Sequence, residues 1–378
     1  MGDAQDAQAF LDIFDAIRDP RVARTRLHPL SSILFLCLCA VICGADSVVA
    51  IHRFGVAKAE FLSRMMPFPN GIPSHDTICR VLAKLNPFEF ERMFTAWMAA
   101  VVELSDGGLV AIDGKTHRRA WDKSNGGEFV HMVSAFATAN RLVLGQVRTD
   151  AKSNEITAIP HLLELLALKD CLVTIDAMGC QVAIAEKIIS KDADYILAVK
   201  ANQPKLHGAV LAAFEKADGN PAAKKHLDFV ESQEFNHGRE EVRRCTVLAV
   251  TVATGLPTKW DSAQSLVRIE TERTLDGITG HESRYHVCSR ALSAPEAQAA
   301  IRGHWGIENG LHWVLDVAFR EDDSRVRTEN AAECLGVIRH MALNLLRGLP
   351  SKVGIKTRRL EAACSEHTLL AVLGSFTN

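Results

Sequence analysis

The chain has 378 residues, 48% apolar and 23% charged, values that exclude intrinsic disorder, collagen and low-complexity fibre. Lys plus Arg is 43 and Asp plus Glu is 45, a formal net charge of −2. That balance argues against a surface coated in positive charge, although a few basic patches are enough for nucleic acid. The length predicts two or three domains.

The first residues, Met1 to Asp6, carry acid where a secretory signal needs base. Residues of about 8 to 105 predict helices, broken at Pro20, Pro29, Pro67, Pro69, Pro73 and Pro87. The longest apolar run, Ile33 to Ala45, is short of the roughly 20 residues that a membrane span needs. It predicts a buried helix, with Cys37, Cys39 and Cys43 as small core residues. The ten cysteines form no C-x-x-C pair and fit a reducing cytoplasm. Ser74 or Asp76 is a candidate N-cap for a helix through Leu82.

The pattern changes near Asp106-Gly107-Gly108. Leu109–Ile112 predicts a short strand ending in Asp113-Gly114, followed by strands at Val130–Ala137 and Leu142–Val147. A helix at Ile159–Leu168, a strand at Cys171–Ile175, a helix at Cys180–Ser190 and a strand at Tyr195–Val199 come next. The near-continuous apolar strands after helices imply a parallel centre covered on both faces. Beyond about residue 220, polar alternation predicts antiparallel strands at Phe229–Phe235, Glu241–Val250, Ser265–Glu270 and Arg284–Ser289. A helix capped by Ser293 is expected to run from Pro295 past His312, and 328–378 again predicts helix.

Asp113 and Asp176 each follow an apolar strand, where ligand sites of open α/β sheets lie. If the strands are neighbours, the carboxylates face one another and call for a divalent cation, magnesium or manganese rather than zinc. The bland reading makes each a turn residue or N-cap. Lys115, His117 and Arg118 follow Asp113 closely and suit a phosphate grip, or else form a solvated basic turn. Lys200, with Gln203 close behind, is a strand-end lysine or a phosphate contact. On a continuous helix Trp305, Glu308, Asn309 and His312 share one face. Glu308 is the candidate third acid, Asp316 its rival, and a zinc site of His304, Glu308 and His312 a weaker alternative. Trp305 and Trp313 are candidates for stacking on a base, with core packing the plainer reading for Trp313. Val337 to Leu360 holds six cations, a second candidate DNA patch.

AIDGK at Ala111–Lys115, TIDAM at Thr174–Met178 and HWGIEN at His304–Asn309 resemble the three signatures of DDE transposases of bacterial insertion sequences. DPR at Asp19–Arg21, HPL at His28–Leu30, KSNEI at Lys152–Ile156 and VKANQ at Val199–Gln203 resemble the group containing the H-repeat-associated proteins. The resemblance implies an α/β fold: a ribonuclease-H-like catalytic core with a β-rich insertion, flanked by helical N- and C-terminal regions. The expected divisions are 1–105, a candidate for DNA-end recognition; 106–330, catalytic, with the insertion at about 225–292; and 331–378, basic and helical. It implies Asp113, Asp176 and Glu308 as catalytic metal ligands for Mg2+, with Mn2+ as substitute. It implies cleavage and strand transfer on double-stranded DNA, by a homodimer in a synaptic complex, in the cytoplasm. A structure-selective nuclease and an inactive DNA-binding relic are the alternatives. Many relatives carry Tyr, Arg and Lys around the glutamate; here those places hold Ile301, His304 and Leu315, so Arg302, His304 and His312 are candidate replacements.

Overall fold

The apolar run near the N-terminus becomes a helix without a solvent face. In the computed structural model, which describes residues 10–101, 108–121, 129–149, 155–224, 227–236, 239–275 and 277–376, Leu30–Ile42 forms α1 and is buried throughout. A helix that is apolar all round needs neighbours on every side. α2 (Val48–Ala57), α3 (Ala59–Met65), α4 (His75–Lys84) and α5 (Pro87–Val101) supply part of that cover. Ser74 caps α4, its hydroxyl accepting from the Thr77 amide. Among the described residues, no helix is long and apolar enough to cross a membrane.

Among the described residues, nine strands form one sheet in the order β3-β2-β1-β4-β5-β9-β8-β7-β6. β1 (Leu109–Trp121), β2 (Phe129–Ala137) and β3 (Leu142–Arg148) pair antiparallel. β4 (Leu172–Ile175) and β5 (Asp194–Val199) extend β1 in parallel. α6 (Glu155–Leu165), α7 (Val182–Ile189) and α8 (Pro204–Asp218) pack on one face of this centre; α9 (Pro221–Lys224) is a single turn. β6 (Asp228–Asn236), β7 (Arg239–Ala249), β8 (Ser265–Leu275) and β9 (Ile278–Cys288) make an antiparallel meander. β9 pairs with β5, so the polar strands continue the central sheet.

The strand reading at Asp113 needs correction. β1 does not stop at Ile112 but continues to Trp121, so the backbone of the basic segment after Asp113 is strand and not turn. The apolar run stops where β1 loses β4: their pairing ends at Ile112 opposite Ile175, and only β2 accompanies the rest.

The other face is covered by α10 (Ala294–His304), a π-helical turn at Glu308–His312 and α11 (Trp313–Phe319), then α12 (Ala331–Gly348), α13 (Ile355–Cys364) and α14 (Glu366–Leu373). Helices from both ends of the chain share one apolar cluster, which also takes in Ala111, Phe136 and Val143 from the sheet.

Candidate functional site

Strand periodicity decides which way the two aspartates point. Val110 and Ile112 pack under α6–α8 and Ala111 packs on the opposite cluster, so Asp113 shares the face of Ala111. On β4, Ile175 packs under α6–α8, while the Thr174 hydroxyl lies 3.0 Å from His304 Nδ1. Asp176, one residue past Ile175, stands beside Asp113 because Ile112 pairs with Ile175.

Asp113, Asp176 and Glu308 line one cavity of about 280 Å3. Thr174, Lys200, Glu282, Arg284, His286, His304 and Trp305 complete its polar lining. Burial pushes the Asp113 carboxyl up to about 7, and the charges of Asp176, Glu155 and Glu308 add to that rise against a hydrogen bond from the Gly114 amide. Asp176 is raised as well, first by burial and then by Glu155, while the Gly179 and Met178 amides and Lys200 oppose. Those amides bind Asp176 Oδ1 at 3.4 and 3.0 Å and fix the side chain at the strand end. Gly179 is required there, since a Cβ on it would meet Ile175 Cγ2 at 2.2 Å.

The helix carrying Glu308 is not the continuous α-helix expected. It breaks at Trp305 and widens into the π turn, a feature common at functional sites. Glu308 and Trp305 still line the cavity; His312 puts Nδ1 3.6 Å from Asp113 Oδ2, and Asn309 is exposed and not part of the lining. Among the described residues no three His, Cys, Asp or Glu side chains already stand close enough to hold an ion, and this is as true of the three acids as of His304, Glu308 and His312. The three acids surround the cavity without closing on it.

Other expectations are redirected. Lys115 is one-tenth exposed and donates to Asp316 at 2.5 Å and to Glu321 at 2.8 Å, so it is an internal cation and not a free phosphate contact. The same pair takes Asp316 out of contention as the third acid. Arg302 is engaged by both carboxylate oxygens of Glu234 and does not line the cavity. Gln203 binds Gln181 at 2.9 Å and is likewise not in the lining. Lys200 is exposed at the cavity's edge. His304 is lowered to about 4 by burial, so it is neutral at ordinary pH and keeps its bond to Thr174. Trp305 is partly exposed beneath the Arg284 guanidinium, 5.3 Å from the ring centroid. Trp313 is 61% exposed, against the core reading. The side chains of His117 and Arg118 lie outside the described residues.

Sequence reasoning missed Glu155 and His131. Thr116 and His131 are cross-strand partners, and their side chains meet at 2.8 Å. His131 Nε2 then lies 2.7 Å from Glu155 Oε1. A Cβ on Gly114 would strike that carboxylate, at 2.1 Å, so the glycine after Asp113 makes room for a fourth acid. The available signal was the NEI triplet in the sequence; in the fold Glu155, at the head of α6, reaches the surroundings of Asp113 beside His131 of β2.

A family profile described as "Transposase DDE domain" matches residues 104–345, and another described as "DDE_Tnp_1-associated" matches residues 11–98. "Putative transposase YncI" of Escherichia coli O157:H7 is 45% identical over 97% of this chain and 95% of its own length. "H repeat-associated putative transposase YhhI" of Escherichia coli K12 is 41% identical over 92% of each chain. The piggyBac transposase synaptic complex with hairpin DNA superposes with a TM-score of 0.43 at 9% identity, over 98% of this chain and 80% of that one. With its signatures at Asp113, Asp176 and Glu308 inside the matched region, the chain belongs to the transposase DDE domain family.

Proposed function

We propose that this protein is a metal-dependent DNA phosphoryl-transfer enzyme that cuts insertion-sequence ends and joins them to target DNA. The observation that carries the reading is the convergence of Asp113, Asp176 and Glu308 on one cavity. In this reading the three acids hold Mg2+, for which Mn2+ substitutes. The fit rests on donor chemistry: all three offer hard oxygen, and burial, with neighbouring carboxylates adding to it, raises the Asp113 and Asp176 carboxyls. Divalent ions held by Asp113, Asp176 and Glu308 would supply Lewis-acid activation of the attacking oxygen and charge stabilisation of the leaving one. The fold is read as ribonuclease-H-like, with β6–β9 as the inserted strands. The working assembly is read as a homodimer holding duplex ends.

The chain's own residues position and neutralise. Lys200 supplies a cation at the cavity's edge for a phosphate oxygen. Met178 and Gly179 hold Asp176 in place through their amides. His312 sits beside Asp113 and limits its swing. Asn202 bonds the Ala177 carbonyl at 2.7 Å, tying the loop after β5 to the loop after β4 and so fixing Lys200 relative to Asp176.

The test is cleavage and joining of labelled terminal-repeat DNA with Mg2+. Asp113→Asn and Glu308→Gln are expected to lose cleavage by more than the roughly 10–100-fold typical of residues behind the ligands, with duplex binding largely kept. Full activity in either variant overturns the assignment. Cleavage without joining by the wild type favours the nuclease, and binding alone favours the relic.

A further inference from the structure

A second groove, of about 390 Å3, opens on a different part of the surface and shares no lining residue with the acidic cavity. The turn between β2 and β3 supplies Arg141, α11 supplies Trp313 and Val317, α12 supplies Arg347, and the start of α13 supplies Lys356 and Arg358. Four cations line it and, among the described residues, no carboxylate does.

Among the described residues the Arg347 and Arg358 side chains are held by backbone carbonyls and not by carboxylates. Arg347 donates to the backbone carbonyls of Arg141 and Gly310, and Arg358 to those of Leu346, Leu349, Ser351 and Val353. Carbonyls satisfy guanidinium donors but leave the positive charge in place. Burial, together with the like charges Arg141 and Arg358, lowers Arg347 to about 9, so it remains a cation at neutral pH. Arg141, Lys356 and the Trp313 indole are exposed along the same groove. A cationic trough suits a sugar–phosphate backbone, whose phosphates would meet its cations.

We propose that this groove is a sequence-independent docking track for the phosphate backbone of duplex DNA, separate from the acidic cavity. The inference rests on the DNA-enzyme reading above and adds to it a place where the duplex lies outside the cavity. Arg347 links track and cavity mechanically, because the Gly310 carbonyl that it holds belongs to the π turn of Glu308.

The test uses the full-length protein and a fluorescein-labelled random-sequence duplex, with anisotropy measured across a salt series. Arg141→Asn with Lys356→Gln removes the two exposed charges and spares the arginines that hold carbonyls. Asparagine suits position 141, where φ is +56°. Each lost phosphate contact lowers the slope of log K against log salt by about 0.9, so the double variant is expected to be shallower by about 2 and to bind at least tenfold more weakly at low salt. Lys216→Gln, an exposed charge on α8 outside both the groove and the cavity, is expected to keep the wild-type slope. A wild-type slope and affinity in the double variant overturn the proposal, and so does sedimentation showing that the double substitution separates a dimer, which would make the groove a contact between two copies. Absent metal-dependent cleavage by the wild type counts against the enzyme reading and not against the track, which the salt slope decides.

Discussion

Asp113 is the residue at which charge and burial conflict most directly. Its carboxyl ionises near 7 in the folded chain against an ordinary 3.8. An acid harder to ionise when folded removes stability as pH climbs from the unfolded value to the folded one, and the deficit then stays constant. In metal-free protein Asp113→Asn is therefore expected to raise the thermal midpoint above about pH 7, by up to about 4 kcal/mol in stability, and to change little near pH 4. Melting of chelator-treated protein across that range checks it; parallel curves for variant and wild type would show that this carboxyl is not what burial strains. The identity of Asp113 was legible because an acid after an apolar run is conspicuous. Lys115 was misjudged for the opposite reason: its partners, Asp316 and Glu321, lie about two hundred residues away and no local pattern announces them.

At the scale of elements, the helix bearing Glu308 shows what a sequence carries and what it withholds. Its beginning is encoded locally: Ser293 accepts from the Glu296 amide while the Glu296 carboxylate accepts from the Ser293 amide, a complete capping box. Ser293→Ala is expected to cost about 1 kcal/mol, read as a lower denaturant midpoint with an unchanged slope and unchanged DNA binding; a loss below a few tenths would mean that packing alone sets this end. The π turn at Glu308–His312 was not legible, because side-chain period gives no sign of one extra residue in a turn. That residue rotates the next helical segment, α11, by roughly 100°, which accompanies a buried Leu311 and an exposed Trp313. β1 was misread in the same manner: its apolar stretch ends at Ile112, yet the strand continues because β2 still pairs with it.

For the whole molecule, the basic stretch Val337–Leu360 changes meaning once its partners are known. Arg339 and Arg359 are almost wholly buried, Arg347 and Arg358 hold backbone carbonyls, and only Lys352 and Lys356 among the six are exposed. Charge counted along the chain therefore overstated the surface patch, while the groove draws Arg141 from a distant turn that the count ignored. Arg359 is the clearest junction. From α13 it donates to the Val41 carbonyl near the end of α1, to the Ala318 carbonyl near the end of α11, and to Asp46 at 2.8 Å, with Phe319 under its guanidinium at 4.2 Å. It thus ties the N-terminal helices, the Glu308-bearing helix and the C-terminal helices at one point, inside an apolar cluster drawn from both ends of the chain. Arg359→Met leaves the Ala318 carbonyl and the Asp46 carboxylate without this donor, while the Val41 carbonyl keeps the Gly44 amide, and is expected to cost about 3 kcal/mol. Because α1 is buried on every side, the loss is expected to fall on both regions together: hydrogen exchange in α1 and α12 rises by the same factor. Faster exchange in α13 alone, with α1 unchanged, would show that the N-terminal helices stand as a separate folding unit.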